Sequence, residues 1–418
     1  MEETSQNSQT FQDFNSDIYK PQNEEDLKSI IKYCFKKNLP IEIIGKGTKN
    51  QIGKKLQCAK TLDMSGISGI VDYKPEELYI TVKAGTSIEA INNELKKNNQ
   101  HLAFEPVNFS RLFGADSNEG TIGGTLACNF SGSRRFKVGS ARDHILGFKG
   151  YNGKGEKIKS GGTVVKNVTG YDLSKLVTGS FGTLLVLSEI TLKVIPIQAD
   201  TKTIIVSGLG LEHAHGVMGS AISSSNDPSG AVFYPNSLRD NFVFNDLTHP
   251  GSITAIRIEG SKISTEQRIN NLIQDLSLID KNITVLDSVQ SEIFWEDTRS
   301  IKVFSKNNKN ILRAVIPPSE TINLINRLKT FHTTYFIDWG GSLIWIELDY
   351  LSNQKIDQIR KRILVADGYL TVIKSPENIK SSSELFTIDP IKFKISQNLK
   401  KSFDPKRIFN PGKMYTGI

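Results

Sequence analysis

Three clusters of glycine and small polar residues stand where a backbone can close around a diphosphate. They are Gly45-Lys46-Gly47-Thr48-Lys49, Gly120-Thr121-Ile122-Gly123-Gly124 and Ser180-Phe181-Gly182-Thr183-Leu184. Glycine reaches conformations closed to other residues and carries no side chain. Consecutive N–H groups can therefore be aimed at phosphate oxygens, or a backbone pressed against a flat ring. Lys46 and Lys49 add positive charge to the first cluster. No Gly-x-Gly-x-x-Gly opens a helix there, so it is not the fingerprint of nicotinamide enzymes. A single Gly-x-Gly reads equally well as an ordinary turn. Here the clusters come in series, with Lys166-Asn167-Val168-Thr169-Gly170-Tyr171-Asp172 before the third. Asp404-Pro405-Lys406-Arg407-Ile408-Phe409-Asn410-Pro411-Gly412 stands near the far end.

Other side chains with chemical potential are fewer. Arg134-Arg135 and Arg142-Asp143 read first as structural charges, and second as forks for an acidic substrate. His144, before an apolar strand, and Glu189 read as structural. His213 and His215 stand two apart on an expected helix, so they point to different faces and do not form a metal pair. Asp338-Trp339-Gly340-Gly341 reads as a turn, either beside a cofactor or carrying a packed tryptophan.

The elements that hold these residues follow from periodicity. A helix starts at Pro21-Gln22-Asn23-Glu24-Glu25, with Leu27, Ile30, Ile31, Cys34 and Phe35 on one face, and Asn38-Leu39-Pro40 stops it. Residues 41–44 read as a strand running into the first glycine cluster. Residues 78–82 form another strand, followed at Ala84-Gly85-Thr86 by a turn and a helix from Ser87. Residues 145–151 and Asn152-Gly153-Lys154-Gly155 read as strand and hairpin turn, and 184–195 as a long strand. Beyond residue 200, strands at 253–258, 311–316, 334–338, 342–348 and 369–373, with a short one at Val285, alternate with helices at 265–276, 320–328 and 354–366. That pattern predicts an antiparallel sheet with helices on one face. Residues 390–403 read as a last helix.

A chain of 418 residues is too long for one core, so two or three domains are expected. Hydrophobic content of 38% with 23% charged residues is that of a soluble globular protein. The net charge of +8 is spread along the chain without aromatic interleaving, which argues against nucleic acid. It suits an anionic cofactor, an acidic substrate or a membrane surface. Cys34, Cys58 and Cys128 form no Cys-x-x-Cys motif, so no zinc or iron–sulfur site is built in, and a reducing compartment fits. The polar, acidic N-terminal sixteen residues do not read as a signal peptide, and no apolar run is long enough to span a membrane.

Taken together, the clusters at 120–124, 166–172, 180–184 and 404–412 resemble flavoproteins of the vanillyl-alcohol oxidase type, with the PCMH-type FAD-binding fold. The resemblance implies an α+β architecture: a two-subdomain PCMH-type FAD-binding domain followed by a smaller ferredoxin-like α+β cap. Residues 1–17 would be a flexible tail, 18–197 the FAD domain, 198–384 the cap, and 385–418 a segment returning to the FAD domain. It assigns cofactor contacts to Gly45, Lys46, Gly47, Thr48, Lys49, Gly85, Gly120, Thr121, Gly123, Gly124, Asn129, Ser131, Gly182, Thr183 and Val186. In covalently flavinylated relatives a histidine occupies the first loop. Thr48 stands at the matching position, so FAD is expected to be held non-covalently.

Arg257-Ile258-Glu259-Gly260-Ser261, Phe294-Trp295, Asp338-Trp339-Gly340-Gly341 and residues 403–415 resemble the FAD-binding subunits of glycolate oxidases. That resemblance implies a small 2-hydroxy acid as substrate, hydride transfer to flavin, and two partners: a second FAD subunit and an iron–sulfur subunit. It places the chain in the cytoplasm, with peripheral membrane association through those partners. Relatives that turn over substrate carry a His-x-His-x-x-Gly-Asp-Gly-Asn-x-His segment, which is missing here, so no metal is expected and the catalytic residues stay unassigned. A stand-alone D-lactate-like dehydrogenase and a non-catalytic, FAD-stabilised scaffold are the alternative readings.

Overall fold

A computed structural model describes residues 13–115, 119–163, 170–241, 249–276, 282–306 and 308–418. Lys166, Asn167, Val168 and Thr169 lie outside them. The helix Glu24–Lys37 begins where the Asn23 side chain accepts from the Glu25 and Asp26 amides. Three acidic residues fill its first turn and two lysines its last, complementing the helix dipole. Asn38, left-handed at φ 51°, ends it. Its face of Leu27, Ile30, Ile31 and Cys34 is buried.

That helix packs on a parallel sheet of Ile18–Tyr19 (β1), Ile41–Ile44 (β2) and Lys60–Asp63 (β3), in the order β1-β3-β2. Ile70–Lys74 (β4) and Tyr79–Lys83 (β5) open a second, antiparallel sheet. After the short Gln100–His101 (β6), it continues through Ile145–Asn152 (β7), Lys157–Gly161 (β8) and Leu185–Lys193 (β9), in the order β4-β5-β9-β7-β8. Ile195–Pro196 (β10) pairs back onto β6. The helix Ile88–Lys96, capped by Ser87, buries Ile88, Ile91 and Leu95 in the core of this sheet. β9 runs 185–193, shorter than the expected 184–195, because the pairing breaks before β10.

The second half is one eight-stranded antiparallel sheet made of two copies of the same motif. The first copy runs Asp200–Ser207 (β11), helix Leu211–Ser223, Gly230–Tyr234 (β12), Ile253–Gly260 (β13), helix Lys262–Leu276 and Ile283–Leu286 (β14). The second runs Asn310–Val315 (β15), helix Thr321–Leu328, Thr334–Asp338 (β16), Leu343–Leu348 (β17), helix Asn353–Val365 and Tyr369–Lys374 (β18). Each is a βαββαβ unit. The strand order β14-β11-β13-β12-β16-β17-β15-β18 joins them through the second strand of each, at Phe233 opposite Ile337. Elements beyond the sequence pattern include β11, β12 and the helices Ser288–Arg299 and Glu377–Ser382. All five residues of β12 are buried, so it shows no alternation.

The two halves are clasped by buried polar contacts. Glu105 accepts from Arg134 at 2.6 Å and Arg257 at 2.8 Å. Arg134 forks onto Glu259 at 2.9 and 2.5 Å. Trp339 Nε1 donates to the Gly132 carbonyl at 2.9 Å, and Ser133 Oγ donates to Asp338 Oδ2 at 2.9 Å. Burial pushes the Asp338 carboxyl up to about 7. Its folded value lies above its unfolded one, so the native state holds the proton more tightly, and this site's contribution to stability falls as pH rises from about 4 through 7. Asp338→Asn is expected to flatten that part of the stability–pH curve. Chemical denaturation at pH 5 and pH 8 checks this, and an unchanged slope counts against it.

Candidate functional site

The cleft lies between the two sheets of the first half. It is open at its mouth, with about 900 Å³ of empty space when the adjoining solvent is counted. The loop after β2, the helix Ile122–Cys128, the turn at Phe181-Gly182, residues 185–187 of β9, and Asn410 and Lys413 line it.

The loop after β2 gives the cleft its chemistry. Among the described residues, the amides of Lys46, Gly47, Thr48 and Lys49 donate to no other protein group. Gly47 is left-handed at φ 70°, and the chain curls so that Asn50 N–H reaches the Gly47 carbonyl at 3.1 Å. Lys46, Lys49 and Lys413 line the same space. Burial lowers the Lys49 ammonium from its usual value, with Cys128 and Glu119 opposing that shift. Burial likewise lowers Lys413, against the pull of Glu42 3.8 Å away. Consecutive free amides beside under-neutralised ammonium groups are the donor set a diphosphate satisfies. On the far wall, β5 ends at Lys83 and pairs with β9 only from Glu189 onward. Among the described residues, the backbone edge of residues 185–187 on that side has no strand partner, and it faces the cleft.

Of the residues named from sequence, Gly45, Lys46, Gly47, Thr48, Lys49, Thr121, Gly123, Gly124, Gly182 and Val186 line this one cleft. The close approaches explain several glycines. A side chain on Gly45 would collide with Thr121, and one on Gly123 would meet the Ala84 carbonyl at 2.8 Å. Gly182 is left-handed at φ 69°, with Asn410 Nδ2 2.9 Å from where its Cβ would stand.

The remaining five named residues do not line the cleft. Gly85 packs against the carbonyls of Met64 and Ile67. Gly120 sits against Thr48 and Lys49, behind the loop. Asn129 caps its helix and accepts from the Arg142 amide, and Ser131 accepts from the Ala141 amide. The Thr183 hydroxyl donates to the Ser180 carbonyl at 2.7 Å.

The site also draws on residues that sequence reasoning did not assign to it. Asn410 is one: its Oδ1 accepts from the Ile43 amide and its Nδ2 donates to the Phe181 carbonyl, both at 2.7 Å. One side chain thus ties β2 to the turn across the cleft. Lys413 Nζ donates to the Asn50 carbonyl at 2.8 Å. The signal was present in Asn410-Pro411-Gly412, but nothing local says that this segment returns to residue 41. Cys128 lines the cleft, and burial pushes its thiol up to about 11, so it is not a thiolate at neutral pH. No histidine is among the lining residues.

The pattern of the family described as "FAD binding domain" matches residues 17–161, which carry the free-amide loop. The chain is 29% identical over 379 residues to glycolate oxidase subunit GlcE of Escherichia coli (strain K12), covering 91% of this chain and 93% of that protein. In fold it is similar to 4-ethylphenol oxidase from Gulosibacter chungangensis, with a TM-score of 0.67 at 11% identity over 96% of this chain and 89% of the other. The chain is an FAD-dependent oxidoreductase whose residues 17–161 form its FAD-binding domain. This flavoprotein is also 24% identical to a D-lactate dehydrogenase of Archaeoglobus fulgidus, over 95% of its own length and 90% of the relative. The free amides and lysines of the loop fit the FAD diphosphate.

Outside the cleft the flavoprotein shows no group of His, Cys, Asp or Glu able to hold a metal among the described residues. His215 Nε2 lies 2.9 Å from the Pro318 carbonyl. His144 is buried, with Nε2 3.0 Å from the Val138 carbonyl. Arg142 donates to the Lys175 carbonyl, and Asp143 caps Ser140 instead of pairing with its neighbour. No helix among the described residues is long and apolar enough to cross a membrane.

Proposed function

We propose that the flavoprotein is the FAD-binding subunit of a glycolate-oxidase-type complex, taking a small 2-hydroxy acid to its 2-oxo acid. The observation that carries this reading is the similarity to the Escherichia coli subunit, which runs through both halves of the chain rather than the FAD-binding part alone. In this reading residues 18–197 hold FAD, 198–384 cap it, and 385–418 return to close the cleft. The amides of residues 46–49, with Lys46, Lys49 and Lys413, hold the diphosphate, and Gly124 and Ala127 leave room for the flat ring. Bound FAD supplies the hydride acceptor, without a covalent link to the chain. The partners are a second FAD subunit and an iron–sulfur subunit, which bring the complex to the inner face of the membrane.

Anaerobic glycolate or D-lactate added to the purified, flavin-loaded chain tests the reading. Bleaching only when the partner subunits are present is the expected result. Bleaching by the chain alone supports a stand-alone dehydrogenase, the second reading, which the full-length likeness to D-lactate dehydrogenases favours. A flavin that never bleaches, with or without partners, leaves only a scaffold and ends both readings.

Gly124 tests the cleft itself. A Cβ there comes no closer to the protein than 3.4 Å, to Thr121 Oγ1, and the backbone is helical. Gly124→Val is therefore expected to fold as wild type and to bind FAD at least about tenfold more weakly, or ~1.4 kcal/mol. Full flavin occupancy in a folded variant would refute the placement.

A further inference from the structure

Two arginine guanidiniums lie over one tryptophan ring where the halves meet. On β15, the Arg313 guanidinium carbon lies 5.0 Å from the Trp339 ring centre, 5.4 Å from Phe130 and 5.8 Å from Trp345. The Arg135 guanidinium lies 4.8 Å from the same Trp339 ring. Among the described residues, neither guanidinium donates a hydrogen bond or forms an ion pair. Arg134 and Arg257 behave differently: each is forked onto glutamates. A ring satisfies the face of a guanidinium but leaves its N–H edge without an acceptor.

The surroundings sharpen that deficit. Burial draws Arg313 down to about 9, and the like charge of Arg135 pushes in the same direction. Asp338 is the opposing carboxyl, but it already accepts from Ser133 and from the Trp339 amide. In the turn that carries this ring, Trp339 is left-handed at φ 53°, a conformation that a bulky non-glycine residue rarely adopts. Such backbone strain persists where surrounding contacts hold it, and it gathers at functional sites. Phe130 joins this place to the cleft, packing edge-on at 6.2 Å against Phe181 of the cleft wall.

We propose that Arg313 and Arg135, both over the Trp339 ring, form the subsite for the carboxylate of the acid. A two-oxygen planar anion matches the free edge of a guanidinium fork. The identity of the acid rests on the function proposed above; the existence of the anion subsite does not.

Isothermal titration of the FAD-loaded protein with oxalate, which cannot be oxidised by loss of a hydride from carbon, tests the subsite without using activity. One oxalate per chain is expected. Arg313→Gln and Arg135→Gln should each weaken binding by about 30-fold or more, the loss typical of removing one partner of a buried charge pair. Arg313→Lys should fall between, since an ammonium keeps the charge and loses the fork. Flavin content and thermal midpoint check that each variant is folded, and Arg135→Gln carries the test if Arg313→Gln is not. Unchanged affinity in both glutamine variants, no saturable binding by wild type, or sulfate competing as strongly as oxalate overturns the proposal. Oxalate binding through Arg313 with no flavin reduction by any hydroxy acid sinks the proposed reaction and leaves the subsite. Reduction by glycolate with undiminished oxalate affinity in Arg313→Gln does the reverse.

Discussion

Glu105→Gln is expected to lower folding stability by about 3–5 kcal/mol, the range for removing one partner from a buried ion pair. Glu105 sits in a closed set of two carboxylates and two guanidiniums. It accepts from Arg257 and from both the side chain and the backbone amide of Arg134, at 2.6 to 2.8 Å. Arg257 is 1% exposed, so water cannot replace the lost charge. The substitution leaves two arginines sharing Glu259 alone. The remedy is as informative as the damage: Glu105→Leu with Arg257→Met removes both signs together and should cost less than either single change. The neighbouring arginines hold the Glu105 carboxyl down at about 2, although burial alone would raise it. Its stabilisation is therefore complete above its unfolded value near 4.5 and is lost as pH falls from there through 2. Chemical denaturation of wild type and variants at pH 7 and pH 3 measures both effects. A loss below 1 kcal/mol at pH 7 would mean that the quartet contributes little to joining the halves.

Lys400→Met is expected to cost a similar ~3–5 kcal/mol and also to weaken FAD binding. The Lys400 ammonium, 1% exposed, donates to the Thr183 carbonyl at 2.7 Å, to Asp404 Oδ2 at 2.9 Å and to the Phe409 carbonyl at 2.7 Å. Asp404, wholly buried, accepts in turn from the Ile408 and Phe409 amides. This network sets the position of Asn410, which ties Ile43 to Phe181 across the cleft. Methionine fills the space but leaves one carboxylate and two carbonyls without their donor. Asp404→Asn keeps an acceptor for the amides and should do less harm. Thermal unfolding and flavin titration separate the two consequences. A lower midpoint with unchanged FAD affinity would confine the network to the fold.

The legible part of this protein was its local chemistry. Asn23 and Ser87 cap the helices that the periodicity calls for, and the loop after β2 carries its free amides where glycines and lysines suggested a diphosphate site. What stayed hidden depends on residues distant in sequence. Asn410 reads as a turn residue until Ile43, 367 positions away, is seen to donate to it. β12 is buried on both faces, so neither alternation nor polarity marks it. In sequence Arg135 reads first as a structural charge and second as a fork for an acidic substrate, and nothing marks Arg313. Only the fold brings both to one indole ring.

The long return of the chain has a consequence for biogenesis. Ile41 bridges to Phe409, and the Asn410 amide bonds back to the Ile41 carbonyl. A ribosome releases the glycine-rich loop hundreds of codons before the residues that shut the cleft around it. Contacts so far apart form late. Closure of the cleft therefore follows completion of synthesis, and in the nascent first half the loop's amides stay open to solvent.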